Sequence, residues 1–331
     1  MRRIGAGKGV PQMVEGEAIA LPLPGLRGYG PRLGLALLVF LSPAALIVLL
    51  FFVAPVILTF WISLTNMSVA TLGRVQVIGL ENYRRIIASP YTSRILQNTF
   101  LYVFATLTFN VGMGLILALL TTHIKEQVGV LFRALWLLPR ITPSVVYAIL
   151  WSWATAPAPF GTFNQVLGPL GVPPRNWLTT QPWGVIILAN GFVGASLGMI
   201  IFTSAIKAIP PDYIMAARVD GATTWQIIRR IILPLIRWPI MFVTAYQTLS
   251  LLASFEYILL LTEGGPGFYR TEVWALYAYH QALSNYFGNT QFGFGAALAA
   301  VLVAIGIVAS LIYLRVFRFR EMMGEPKIEG I

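Results

Sequence analysis

The side chains that could act chemically in this chain are mostly uncharged hydrogen-bonding groups. The sequence has no cysteine and only two histidines, His123 and His280, which lie far apart without the spacing of a metal site. The fragment GAGKG at residues 5–9 lacks the upstream strand, the first glycine and the Ser or Thr after lysine that a phosphate-binding loop requires. We therefore expect no catalytic residue, no metal and no cofactor bound by this chain.

Hydrogen-bonding side chains recur within two apolar segments. Gln247, Ser250 and Ser254 are spaced so that they share one face of a helix, with Tyr257 placed less regularly. Such a face could line a path for a polar ligand, or it could supply hydrogen bonds between helices. The polar candidates from both segments are Asn190, Ser196, Tyr246, Gln247, Ser250, Ser254 and Glu256.

The chain that carries these groups is strongly apolar. Of its residues 57% are hydrophobic and only 11% are charged, whereas soluble domains carry roughly 25% charged residues. Its mean hydropathy is +0.75, so the composition predicts an all-α membrane protein solvated by a lipid bilayer. The net charge of +11 is scattered between apolar segments, so nucleic acid is not an expected partner.

Stretches between charged residues predict six membrane spans. A spanning helix needs roughly 20 apolar residues, and only the third candidate is short of that length. We expect a membrane domain over residues 33–319, a disordered tail at 1–32, a loop at 207–238 and a second tail at 320–331. The predicted spans cover about residues 35–64, 96–121, 141–155, 183–206, 239–261 and 292–314.

Lys and Arg predict the orientation. They concentrate in both tails, in the loop before the third span and in the loop at 207–238, which places these parts and both termini in the cytoplasm. Four arginines in the first outer loop count against this rule. That loop, with the sequence ENYRRIIASPYTSRIL, could lie at the interface as an amphipathic helix.

The sequence of the loop at 207–238 predicts a charged helical hairpin. Pro210 and Pro211 suit the start of a helix, Gly221 permits a turn, and Thr223 and Gln226 have the spacing of a capping box that starts a second helix. From the residues alone, the hairpin could rest on lipid headgroups or could dock a cytoplasmic partner.

The segment AARVDGATTWQIIRRIILPLIRWP resembles the cytoplasmic coupling loop of ABC importer permeases. In that family the loop sits in a cleft of the ATP-hydrolysing subunit and carries its closure to the spans. The family has a glutamate where Met215 stands here, so that charged contact is absent or replaced. The resemblance implies coupling roles for Asp212, Met215, Ala216, Ala217, Asp220, Gly221 and Ala222.

Further motifs resemble the permeases of carbohydrate importers, in particular the first permease of maltose- and glycerol-phosphate-type systems. These are GLENY at 79–83, ALWLLPRITPSVV at 134–146, LTEGGPG at 261–267 and FGFGAALA at 292–299. The resemblance implies the six-span type I ABC importer permease fold in a bacterial inner membrane. It implies as partners a second homologous permease, two ABC ATPase subunits that hold ATP and Mg, and an extracytoplasmic sugar-binding protein.

The same resemblance places substrate contacts in the fourth and fifth spans. It maps them to Val193, Gly194, Leu197, Ser250, Leu251 and Ser254, beside the polar candidates Asn190, Tyr246, Gln247 and Glu256. For Glu256 three roles stay open: bonding sugar hydroxyls, pairing with a basic residue, or lying near the outer surface.

The expected function is therefore half of a membrane path for a di- or oligosaccharide, a polyol or glycerol phosphate, without enzymatic activity in this chain. The alternative is an ion- or proton-coupled sugar carrier, which would need inverted repeats and usually buried carboxylates. No repeat is evident in the sequence, and Glu256 is the only carboxylate within a predicted span. An intramembrane enzyme would need a catalytic constellation that we do not find in the sequence.

Overall fold

The computed structural model describes residues 31–284 and 290–317, which form helices without a named β-strand; one isolated bridge joins Thr65 to Val77. Apart from residues 31 and 32, both predicted tails lie outside these residues. The helices are α1 (Pro31–Val48), α2 (Ala54–Ser63), α3 (Glu81–Ala88), α4 (Thr92–His123), α5 (Glu126–Ile141), α6 (Ser144–Ala154), α7 (Thr162–Leu167), α8 (Trp177–Thr180), α9 (Pro182–Lys207), α10 (Pro211–Val219), α11 (Thr224–Ile227), α12 (Leu233–Leu235), α13 (Arg237–Ala253), α14 (Glu256–Thr262), α15 (Trp274–Ala282) and α16 (Phe292–Val316).

The chain divides into two compact parts, one ending at Val56 and one beginning at Ile57. In the first part, α1 continues through a π-helical turn at Leu49–Val53. Its bulky apolar side chains are exposed, as Phe40 (82%) and Phe51 (71%) illustrate. Exposure of this kind is favourable where hydrocarbon rather than water surrounds a helix.

Four helical segments of the described chain are long and apolar enough to cross a membrane. They overlap the first, second, fourth and sixth predicted spans and comprise Val39–Ser63, α4, α9 and α16. A further pair, α5 and α6, meets the same criterion as one broken span that bends by 100°.

The structure shortens the third predicted span and divides the fifth. The third corresponds mainly to α6, only the second limb of the bent pair, because Pro143 disfavours helical geometry in the residue before it. The fifth is split where Ser254 adopts extended backbone geometry (φ −83°, ψ 125°) between α13 and α14. Neither predicted span therefore contains a helix that meets the membrane-crossing criterion by itself.

Helices α4 and α9 approach each other closely through small residues. A Cβ placed on Gly114 would lie 2.9 Å from the carbonyl oxygen of Ala195, and one on Gly194 would lie 2.1 Å from the amide nitrogen of Asn110. Small residues allow such contact between membrane helices. The contact brings Asn110 of α4 against the face of α9 that carries the predicted path residues.

Candidate functional site

The hairpin at 207–238 has the local structure that its sequence predicts. Helix α10 starts at Pro211, and Gly221 turns the chain with φ +78°. At the start of α11 the capping box is complete: the backbone N–H of Thr223 donates to Gln226 Oε1 (2.7 Å), and that of Gln226 donates to Thr223 Oγ1 (3.3 Å). The turn and both helix starts are thus specified locally.

The hairpin is anchored on one side and open on the other. Ile227 of α11 and Ile232 of the following π-helical turn are buried in a cluster with Phe202 of α9 and Val243 of α13. On the open side Met215 is 55% exposed, and Asp212, Ala216, Asp220 and Gly221 are exposed too. The other two predicted coupling residues, Ala217 and Ala222, are half-buried and pack against the anchoring cluster. A displacement of the open side would therefore be transmitted to α9 and α13.

An ion-pair network precedes the hairpin. Glu126 Oε1 lies 2.5 Å from Lys207 Nζ, at the end of α9, and 3.0 Å from Arg133 Nη2. Arg133 also donates to the carbonyl of Thr121 (3.1 Å), so the network ties α4, α5 and α9 together. The sequence analysis did not identify Glu126, an acidic residue in a largely basic region.

A cavity of about 160 Å³ lies among α4, α5, α9 and the two limbs of the fifth predicted span. Nine of the ten predicted path residues line it, and three further residues join them. The lining residues are Asn110, Arg140, Asn190, Val193, Gly194, Leu197, Tyr246, Gln247, Ser250, Leu251, Ser254 and Tyr257.

Three amides of this cavity, those of Asn110, Asn190 and Gln247, also hold helices together. Asn110 Nδ2 donates to Gln247 Oε1 (2.5 Å), and Gln247 Nε2 donates to the carbonyl of Gly194 (3.2 Å). Asn190 Nδ2 donates to the hydroxyl of Tyr102 (2.9 Å), which in turn contacts Ser254 Oγ (3.3 Å). For these side chains, cavity lining and interhelical bonding occur together.

Other lining groups keep their polar atoms available. Ser250 and Tyr246 are exposed, and neither side chain forms a hydrogen bond within the part of the chain that the structure describes. Ser196, by contrast, donates to the carbonyl of Val193 within its own helix (2.6 Å). The cavity thus offers Ser250 and Tyr246 to a ligand.

Glu256 does not line the cavity. Its carboxylate accepts a hydrogen bond from the hydroxyl of Ser144 on α6, and no basic residue of the described chain forms an ion pair with it. The bond joins the broken pair α5–α6 to α14. Of the three roles considered for Glu256, this placement favours neither contact with a substrate in this cavity nor an ion pair within the described chain.

Arg140 is the charged residue that sequence reasoning missed. We counted it with the loop charges that set orientation, yet it stands in the last turn of α5 and lines the cavity. The available signal was its position within the apolar motif ALWLLPRITPSVV rather than at the motif's edge.

A second cavity, of about 320 Å³, lies between the loop that follows α14 and helix α15. It is lined by the buried Glu272 and the half-buried His280, which form a pair with 2.9 Å between Oε1 and Nδ1. Burial raises the pKa of Glu272. The loop carries the motif LTEGGPG, and Gly264 at φ +82° leaves room for the carboxylate.

Long apolar helices, a small polar cavity and an anchored hairpin together define an integral membrane transport subunit. The model of the family described as "binding-protein-dependent transport system inner membrane component" matches residues 110–320. The chain belongs to this family of ABC importer permeases.

Relatives and solved structures agree with this assignment. The chain is 30% identical over 281 residues to the trehalose/maltose transport system permease protein MalF of Thermococcus litoralis, covering 84% of this chain and 92% of the relative. It is similar to a chain of a bacterial alginate ABC transporter solved with an alginate-bound periplasmic protein (TM-score 0.75, 25% identity, 89% of this chain and 98% of the other). A second structure, of an importer of the acidic polysaccharide alginate, gives a TM-score of 0.72 at 26% identity, with the same coverage.

These similarities confirm the predicted fold class, the type I ABC importer permease fold, and the predicted family. The chain is a binding-protein-dependent permease of an inner-membrane family, and that family consists of transport components. The side of the membrane on which the termini lie stays a prediction from the distribution of Lys and Arg.

Proposed function

We propose that this chain forms half of the membrane path of an ATP-driven importer for a saccharide or a related polyol. The observation that carries the proposal is the cavity. The path residues were predicted from polar spacing and from family resemblance, on what the structure shows to be α9, α13 and the residues that follow α13. Nine of these ten residues line the 160 Å³ cavity. Its amides and hydroxyls can exchange hydrogen bonds with substrate hydroxyls. The saccharide transport named for MalF and for the alginate importers supports the same class.

The proposed partners would bind at the cavity and at the open side of the hairpin. A second homologous permease would complete the cavity, two ABC ATPase subunits would dock on the open side of the hairpin, and an extracytoplasmic binding protein would deliver substrate. ATP and Mg would be held by the ATPase subunits, and this chain would perform no chemistry. Both termini and the hairpin would lie in the cytoplasm.

Coupling would run through the cluster that anchors the hairpin. ATPase closure would displace α10 and α11, and the buried contacts of Ile227 and Ile232 would pass that displacement to α9 and α13. These two helices carry most of the cavity lining, so they would alternate its access between the two sides. Packed helices transmit such shifts because protein interiors have few voids to absorb them.

The test is purification of the tagged chain from its native membrane in mild detergent, followed by mass spectrometry and reconstitution in liposomes. We expect a P-loop ATPase and a second six-span permease to copurify, and saccharide uptake to require ATP and a binding protein. A chain that stays alone and moves sugar without ATP would refute the proposal in favour of an ion- or proton-coupled carrier.

A further inference from the structure

Arg140 places a positive charge in a cavity that otherwise has uncharged lining. It stands at the bend between α5 and α6 and shares the cavity with Gln247 and Ser250, which lie within a predicted span. Charged side chains at this level of a membrane protein are costly and mark substrate pathways or functional ion pairs. The position of Arg140 therefore requires an explanation beyond membrane orientation.

Within the described chain, no acidic residue lies within ion-pair distance of Arg140. None of the cavity-lining residues is Asp or Glu, and Arg140 forms neither a hydrogen bond nor an ion pair with residues 31–284 or 290–317. Two other arginines of the chain are engaged: Arg133 pairs with Glu126, and Arg270 donates to the carbonyls of Thr179 and Thr180. Arg140 stands in the cavity with all its donors available.

The acidic residue that is adjacent in sequence to the cavity lining is bonded elsewhere. Glu256 precedes the lining residue Tyr257, yet its carboxylate is bonded to Ser144 and lies outside the cavity lining. A neutral saccharide in this cavity would match the amides and hydroxyls but would leave the exposed guanidinium of Arg140 without a counter-charge, whereas an anionic group would form charge-assisted hydrogen bonds with it.

We infer that the transported saccharide or polyol carries an acidic group, which Arg140 binds in this cavity. A carboxylate, phosphate or sulfonate presents two oxygens to the planar guanidinium fork, the geometry in which arginine binds most strongly. The uncharged amides and hydroxyls would bind the hydroxyl groups of the same molecule. This inference rests on the proposed function and specifies the charge of its substrate.

The test compares uptake of paired probes by the complete transporter in liposomes, with the binding protein and ATP. Each pair is a neutral glycoside, such as glucosylglycerol or maltose, and its derivative with a carboxylate at carbon six. We expect the acidic member to be preferred, and Arg140→Gln to reduce that preference by about tenfold to a hundredfold, the range supplied by charge-assisted hydrogen bonds. The binding protein is identical in both assays, so a changed ratio reports on the permease.

Two further variants separate charge recognition from folding. Arg140→Lys keeps the charge and should retain part of the preference, whereas Arg84→Gln removes a solvent-exposed positive charge away from the cavity and should leave the ratio unchanged. Retained neutral uptake by R140Q shows that the variant is folded. Equal or preferred transport of neutral probes by the wild type, or a ratio that R140Q leaves unchanged, overturns the inference while the proposed function stands. Absence of ATP-driven uptake of any probe overturns both.

Discussion

Gln247 and Ser250, about one turn apart on α13, distinguish the two interpretations of its polar face: hydrogen bonding between helices and lining of a substrate path. Gln247 is 4% exposed and bonds both Asn110 and Gly194, whereas Ser250 is exposed. We expect Gln247→Leu to lower the free energy of unfolding by about 1–3 kcal/mol because it leaves buried partners unsatisfied. We expect Ser250→Ala to change it by less than about 0.5 kcal/mol and to reduce substrate uptake severalfold.

Thermal unfolding in detergent and ATP-driven uptake in liposomes measure the two effects separately. Each variant serves as the other's control, since both remove a polar group from one helix face. Normal uptake by the Ser250→Ala variant would remove Ser250 from the path and leave the polar face a purely structural role.

At the scale of elements, the turn of the hairpin depends on one backbone conformation. Gly221 has φ +78°, and a Cβ there would meet no atom within 4 Å, so backbone strain rather than collision limits substitution. Valine in the left-handed region costs about 1–2 kcal/mol, while asparagine enters it readily. We expect Gly221→Val to uncouple ATP hydrolysis from uptake and Gly221→Asn to keep them coupled.

The measurement is the ratio of substrate imported to ATP hydrolysed, together with membrane insertion of each variant. Insertion should be the same for both, because the turn lies outside the spans. A coupled Gly221→Val variant would contradict the role assigned to this turn.

The contact between α4 and α9 offers a matched pair of glycines on one helix. Alanine at position 114 would press on the backbone of α9, whereas alanine at 112 would meet nothing within 4 Å. We expect Gly114→Ala to destabilise the protein by about 1–3 kcal/mol through overpacking. Gly112→Ala should be neutral or stabilise by up to about 1 kcal/mol, since alanine favours helix. Thermal unfolding measures both, and equal midpoints would show that the helices do not depend on this close contact.

The helical elements could be predicted from sequence more completely than their breaks and the site. Hydropathy located the apolar segments, and proline, glycine and capping residues predicted the hairpin because those signals are local. The break at Ser254 has no Pro or Gly to mark it in the sequence; there Ser254 Oγ contacts the hydroxyl of Tyr102, which is distant in sequence. Arg140 lies inside an apolar motif, but the other residues of the cavity come from α4, α9 and the segment from α13 to α14, so the sequence does not show which residues it joins.

For the whole molecule, two interrupted helix pairs, α5–α6 and α13–α14, determine how many times the chain crosses the membrane. If α5–α6 and α13–α14 each cross once, the chain has six crossings, and Val128 and Val219 lie opposite Phe160 and Phe268. If either pair enters and returns, the residues on its two sides face the same compartment. The positive charge near Val128 and Val219 favours one crossing for each pair, with these two residues in the cytoplasm.

Cysteine labelling tests this directly because the sequence has no cysteine. Four single variants, V128C, F160C, V219C and F268C, replace exposed side chains (43%, 77%, 88% and 95%). We expect a membrane-impermeant maleimide to label F160C and F268C in intact spheroplasts, and V128C and V219C only after the membrane is opened. The unsubstituted chain gives the background. Labelling of V128C and F160C from the same side would make α5–α6 a re-entrant pair, and would reverse the predicted side of every segment on one side of that bend.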